Sequence, residues 1–303
     1  MQLKRLLQKL AWRIIAGRPP TFVEFDNTYH WLNYAYYTMM NDPSGPPREV
    51  YAWGALQGAA LAKVLNYPRI SILEFGVAGG AGLLAMEKIA GQVERLTGLQ
   101  IDVYGFDSGV GMPAPIDYRD QPNMWFAGQF PMKREYLEHL LKRAKLYIGY
   151  VKDTLPAFIA ANPAAMAFAS FDLDIYSSTR DALELFNTDY EFLLPRVICY
   201  FDDINGHTYS EYTGERLAIN EFNAQHDRCK LDVIHDLSWF VDRRYQNRYF
   251  WSHLYWAHFF DHPLYNELDS HRKGVYTDAH GSGLRAKPHS NWRENIQPIQ
   301  PPG

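Results

Sequence analysis

Arg69-Ile-Ser-Ile-Leu-Glu-Phe-Gly-Val-Ala-Gly-Gly-Ala-Gly82 is the stretch on which the reading of this chain turns. A short aliphatic, β-branched run ends in the acid Glu74, and a helical pattern starts near Leu83. Bounded by turn residues and followed by a longer apolar-periodic segment, the run reads as a buried strand entering a helix. Four glycines in seven residues, Gly76, Gly79, Gly80 and Gly82, are more than a plain connection needs. Backbone that turns sharply and lets a ligand approach closely cannot carry Cβ atoms. The helix that follows aims unpaired N–H groups at whatever fills the turn.

The spacing says which ligand. A dinucleotide fingerprint G-x-G-x-x-G/A should begin where the strand ends. Here it is matched only at Gly80-Ala-Gly82-Leu-Leu-Ala85, several residues late, which argues against an oxidoreductase. Glu74 at the strand end would repel a pyrophosphate but suits a cofactor that presents a cation or an amine. S-adenosylmethionine presents both, and Gly76, Gly79 and Gly80 are the turn residues expected against it. The second strand candidate, Asp102-Val-Tyr-Gly-Phe-Asp107, also ends in an acid. Ligands of open α/β sheets lie outside the carboxyl ends of strands. Asp107, with Ser108 beside it, is placed to accept ribose hydroxyls.

Strands expected at 70–75, 101–106, 145–150, 166–172, 196–201, 230–236 and 250–258 alternate with helices at 82–97, 132–144, 155–161, 177–188 and 213–226. That alternation implies an α/β fold with a Rossmann-like, seven-stranded, mostly parallel sheet and helices on both faces. A further helix is expected over 48–66, covering the crevice or the outer edge of the sheet, and 21–47 reads as aromatic and irregular. The chain divides into a basic amphipathic helix (1–20), an aromatic and helical cap (21–67), the cofactor-binding domain (68–260) and a polar tail (261–303). The loop 108–132, long for a compact domain, is assigned to an acceptor pocket, with Trp125, Phe126 and Tyr176 as wall candidates.

Composition narrows the class further. Of 303 residues, 47% are hydrophobic and 21% charged, an ordinary globular balance, and the net charge of -4 argues against a nucleic-acid partner. Only Cys199 and Cys229 are present, so a reducing, cytoplasmic setting is expected. Lys4, Arg5, Lys9, Arg13 and Arg18 alternate with Leu3, Leu6, Leu7, Leu10, Ile14 and Ile15 at helical spacing. Residues 1–18 therefore suit peripheral contact with an anionic membrane, and equally docking on the domain or on a second subunit of a homo-oligomer.

Phe171-Asp-Leu-Asp174 and Tyr200-Phe-Asp-Asp203 each follow a hydrophobic strand. Negative charge gathered this densely is costly unless a cation compensates it, and hard dications prefer oxygen ligands; the competing reading is that some of these acids cap helices or pair with Arg180 or Arg216. Asp172, Asp202 and Asp203 are the preferred metal ligands, with Asp174 a near equal of Asp172. Asp172 also faces the cofactor side. Asp153, in Gly149-Tyr-Val-Lys-Asp-Thr-Leu-Pro156, is read two ways: as a contact to the adenine amine, or as a cap for a helix opening at Leu155-Pro156.

With these residues in view, the chain resembles the macrocin O-methyltransferase family. The glycine turn, Tyr104-Gly-Phe-Asp-Ser108, Asp153-Thr-Leu-Pro156, Asp172-Leu-Asp-Ile-Tyr-Ser-Ser-Thr179, Asp202-Asp203 and Gly214-Glu-Arg-Leu-Ala-Ile-Asn-Glu-Phe222 occur in family order, over roughly residues 68–225. The resemblance implies the class I methyltransferase fold, methyl transfer to sugar hydroxyls, and magnesium at Asp172 or Asp174 with Asp202 and Asp203. The chain departs in carrying Leu173 between the two acids and in the placing of Gly79 and Gly82. The acceptor expected is a hydroxylated small molecule such as a glycan or glycosylated metabolite. Asp172, Asp174 and His207 are the catalytic candidates, His207 as a base near the metal. The competing expectation is a non-catalytic protein that keeps the fold and docks through its amino-terminal helix.

Overall fold

The computed structural model describes residues 28–43, 48–206 and 209–266. The expected basic helix over 1–20, nearly all of the polar tail and His207 lie outside them. Residues 32–267 form one compact unit, and of the other, residues 1–31 and 268–303, only 28–31 are described.

Seven strands form one sheet in the order β3-β2-β1-β4-β5-β7-β6. They are β1 (Arg69–Phe75), β2 (Gln100–Asp107), β3 (Lys145–Ile148), β4 (Met166–Phe171), β5 (Leu193–Phe201), β6 (Cys229–Val233) and β7 (Leu254–Phe259). The neighbours from β3 through β5 pair in parallel, and β7 runs antiparallel to both β5 and β6. The order changes direction between β1 and β4, which puts the topological switch point beside the glycine turn.

The central strands are buried along nearly their whole length because helices cover both faces. Side chains alternate between faces along a strand, and the phenylalanines of β4 trace that alternation. Phe168 meets Tyr51 of helix α2 (Glu49–Val64), edge to face at 5.7 Å, while Phe171 packs against Phe186 beyond helix α6 (Tyr176–Leu183). On the α6 side an aromatic row crosses five strands in register: Tyr147, Phe106, Phe75, Phe171 and Phe201. Successive rings stack with centroids 5.1, 4.7, 5.1 and 4.6 Å apart. The residue after this row is Asp107 on β2, Gly76 on β1, Asp172 on β4 and Asp202 on β5. The row thus fixes a single rim on which three acids and a glycine stand side by side.

Helix α2 packs on β4, β5 and helix α3 (Ala81–Thr97), which lies on β1 and β2. Its approach to the sheet is close: a Cβ at Gly54 would overlap the Phe168 ring, and one at Gly58 would crowd Ala167. Helices α5 (Val151–Ala160), α6 and α7 (Gly214–Gln225) pack as neighbours, and α4 (Arg134–Leu140) lies between β2 and β3 in the chain.

Two expectations change. The segment read as irregular contains helix α1 (Thr28–Met40), in which Ala35, Tyr36 and Met39 are buried at helical spacing. Tyr36 packs edge-on against Tyr245 at 5.1 Å and Trp251 at 6.1 Å, so aromatic packing rather than an apolar/polar stripe holds it. Helix α5 opens at Val151, not at Leu155, and carries Pro156 in its interior. Asp153 therefore sits within the first turn as an exposed residue and caps nothing. Its charge still faces the positive end of the helix dipole. Among the described residues, no helix is long and apolar enough to cross a membrane.

Candidate active site

The glycine turn is shaped by what lies under it. Gly76 has φ +86 and Gly80 φ +85, both in the left-handed region, and a Cβ at Gly76 would overlap the backbone carbonyl of Asp172. Asp107 straps the turn to β2. Its Oδ2 accepts the N–H groups of Val77 at 3.0 Å and Ala78 at 2.8 Å, and its Oδ1 accepts that of Gly109 at 2.7 Å. Ser108 donates to the Gly111 carbonyl at 2.6 Å and shapes the loop beyond. Gly79 has open space where its Cβ would stand, so a ligand can reach the backbone there.

Glu74 is not on the rim. It precedes the aromatic row by one residue, points to the opposite face and is 1% exposed, tucked where a Cβ at Gly82 would overlap its Oε1. The Tyr51 hydroxyl donates to that Oε1 at 2.8 Å, and receives bonds from Ser170 at 2.7 Å and from Arg48 at 3.0 Å. Oε2 is buried with no partner. Burial pushes the Glu74 carboxyl up to about 8, against the opposing Tyr51 bond and Arg48 charge.

Asp172, Asp202 and Asp203 each offer one oxygen within 4.8 Å of the other two. Asp174 lies outside that triple, with φ +62 and its N–H donating to Asp203 Oδ2 at 3.2 Å. The acids are oriented by neighbours: the Tyr200 hydroxyl donates to Asp202, Tyr209 donates to Asp203 Oδ1 at 3.0 Å, and the Asp203 N–H donates to buried Glu215 at 3.0 Å. Burial, then the charges of Asp202 and Asp203, raise Asp172 to about 7 against Arg48. Burial raises Asp174 and Asp203 likewise, with neighbouring acids adding to it. Groups this reluctant to ionise together take up protons or a cation. Three converging carboxylate oxygens suit a hard dication such as magnesium. Among the described residues, Arg48 makes the only ion pair to any of the four Asp, 3.7 Å from Asp172 Oδ2.

Turn and acids open into one cavity of about 640 Å³. Glu74, Gly76, Gly79, Asp107 and Ser108 line one part of it; Asp172, Asp174 and Asp202 line another. A buried, unpartnered carboxyl oxygen beside exposed turn backbone fits a cofactor bearing a cationic group. Gly80 shapes the turn as N-cap of α3 rather than forming the wall, and Asp153 is outside the lining. The loop contributes Met112, Ile116 and Phe130 to the wall, while Trp125, Phe126 and Tyr176 are not part of it. Tyr176 is buried, donating to Glu221 at 2.6 Å, and Phe126 is exposed.

Arg48, Tyr51, Tyr200, Tyr209 and Glu215 were not singled out by sequence reasoning. Spacing carries a signal for three of them: Arg48 and Tyr51 are three apart at the start of α2, and Tyr200 is two before Asp202 on the same strand face.

The glycine turn at the switch point, the strand order and the reversed β7 define the class: this is the class I methyltransferase fold. No protein-family model and no curated protein matches the sequence. Among solved structures the chain is similar to CalS11, a calicheamicin methyltransferase, at 22% identity over 68% of this chain and 88% of that one, with a TM-score of 0.47. It is similar to the MycE methyltransferase of the mycinamycin biosynthetic pathway at 16% identity, over 77% of this chain and 54% of that one, with a TM-score of 0.37. The O-methyltransferase TomG from Streptomyces achromogenes is 15% identical over 69% of this chain and 82% of that one, with a TM-score of 0.31. The fold assignment rests on the strand order itself.

Proposed function

We propose that the protein is an S-adenosylmethionine-dependent O-methyltransferase acting on a hydroxyl of a sugar or other polyhydroxylated small molecule, with magnesium held by Asp172, Asp202 and Asp203. The observation that carries this reading is one cavity shared by a glycine turn and a cluster of carboxylates.

The cofactor, bound against Gly76 and Gly79, would supply a methyl group on a sulfonium leaving group. Glu74 and Asp107 would bind it, Glu74 with its unpartnered Oε2 and Asp107 with the lone pairs left over from the turn. The metal would supply Lewis acidity that lowers the pKa of the acceptor hydroxyl. Tyr200, Tyr209 and Glu215 keep the ligand carboxylates in place, so the reactants meet already oriented. Asp174, outside the converging triple, would take the proton that the acceptor hydroxyl gives up on methylation. His207 stays a second candidate for that role. Ile116, Met112 and Phe130 give the cavity an apolar wall, with Ile116 and Phe130 still exposed.

The test is a calorimetric titration of S-adenosylhomocysteine with and without magnesium, on wild type and on Glu74→Ala and Asp107→Ala. Micromolar binding that both substitutions weaken at least about tenfold supports the reading, since each removes a buried or charged contact. Absence of binding at millimolar ligand sinks it. Methyl transfer to a panel of hydroxylated acceptors then names the acceptor class.

A further inference from the structure

Arg48 stands just before helix α2, outside the stretch that carries the family resemblance, yet its side chain lines the cavity. Its guanidinium is held through Nη1. Nη1 donates to the Tyr51 hydroxyl at 3.0 Å, and the guanidinium carbon lies 5.0 Å from the Tyr51 ring centroid. Tyr51 is itself immobilised, fully buried between Glu74 and Ser170. The same Nη1 lies 3.7 Å from Asp172 Oδ2, longer than a hydrogen bond, with the two side chains 34% and 28% exposed. Asp172 is also one of the three acids whose oxygens converge.

A guanidinium and a dication cannot both neutralise Asp172 without repelling each other at a few ångströms. We propose that Arg48 is the internal counter-cation of the acid cluster: it occupies Asp172 while no dication is present and yields that carboxylate when one binds. Tyr51 is the fixed post from which it does so. The contact to Tyr51 keeps Arg48 in the cavity in both states, and the long contact to Asp172 is the one exchanged. Arg48 acts here through Asp172 and is a positioning residue. The inference rests on the reading that the cluster takes a dication.

Competition predicts two effects of opposite sign from one substitution. In full-length protein, Arg48→Gln binds Mn²⁺, followed by the loss of its free electron paramagnetic resonance signal, about tenfold more tightly than wild type, yet melts at a lower temperature in chelator. Arg48→Lys, which keeps the charge, stays near wild type in both. An Arg48→Gln protein that binds Mn²⁺ as wild type does, or more weakly, overturns the inference and leaves the dication site standing. Failure of wild type itself to bind millimolar Mn²⁺ removes the dication reading and this inference with it. A second measurement needs no variant: saturating Mg²⁺ should speed modification of Arg48 by phenylglyoxal, read by peptide mass spectrometry. An unchanged or slower rate contradicts the exchange.

Discussion

Under the proposed function, Glu74 would carry the pH dependence of cofactor binding. Its carboxyl is buried under Gly82 and raised from 4.5 to about 8, so near neutral pH it holds a proton. A ligand that presents a cation to Oε2 binds the ionised form. Its affinity should therefore climb as pH rises from 6.5 toward 8.5, by up to about tenfold per unit below the pKa. Calorimetry of S-adenosylmethionine binding in buffers of differing ionisation enthalpy would show the released proton, and Glu74→Gln should abolish both slope and release. Stability runs the other way. A folded pKa above the unfolded one gives a contribution complete below about 4.5 and lost as pH passes through about 8. Wild type should lose up to a few kcal/mol across that window that Glu74→Gln does not lose, measured by urea denaturation at each pH. Gly76 answers for shape rather than charge: with φ +86 and the Asp172 carbonyl where a Cβ would go, Gly76→Ala should cost about 2–3 kcal/mol in the same experiment.

Helix α2 and the loop 108–132 show how elements import side chains into a site whose backbone is set by the sheet. Tyr51 brings one hydroxyl to Glu74, Ser170 and Arg48 together. Tyr51→Phe should cost about 1–3 kcal/mol, because it leaves buried polar groups unpaired while preserving packing on Phe168; thermal denaturation checks it. In the loop, Asp120 is 1% exposed and accepts from Ile116 at 2.9 Å and from Ser177, at the start of α6, at 2.7 Å. Asp120→Ala should unfasten the loop wall of the cavity, proposed to meet the acceptor, without touching the turn. The acceptor KM should rise by about tenfold while S-adenosylhomocysteine affinity holds, and a matching loss of that affinity would show the loop is merely structural. The strands were legible as short apolar runs that end in turn residues or acids, and the rim acids followed from counting to the end of each strand. Helix α1 was not, because its aromatic residues occupy both faces and blur the period that betrays a helix. Glu74 was legible as an acid at a strand end, but not as a buried one, since one residue of register decides which face it joins. Glu215 reaches the site through tertiary packing, its carboxyl taking the Asp203 N–H across twelve residues of chain.

At the scale of the molecule, six strands point their carboxyl ends one way and the aromatic row levels them, so charges distant in sequence share one edge. The acids that converge come from the ends of β4 and β5, each leading into a different helix, α6 and α7, which pack together. A dication there would join two crossovers that otherwise repel, and would find no such arrangement in the unfolded chain. Binding to the folded state alone stabilises by RT ln(1 + [L]/Kd), about 2.7 kcal/mol at a hundredfold excess over Kd. For a domain of this size each kcal/mol moves the midpoint by about 2–4 °C, so saturating Mg²⁺ should raise melting by roughly 5–10 °C. EDTA should reverse the shift. Asp203→Asn should remove most of it while leaving the glycine turn able to bind S-adenosylhomocysteine, because Asp203 touches α7 and Tyr209 rather than the turn. Differential scanning fluorimetry with each ligand separately distinguishes the two halves of the cavity. If millimolar Mg²⁺ moves the midpoint of Asp203→Asn as far as that of wild type, the stabilising ion sits elsewhere and the acids of β4 and β5 do not hold it.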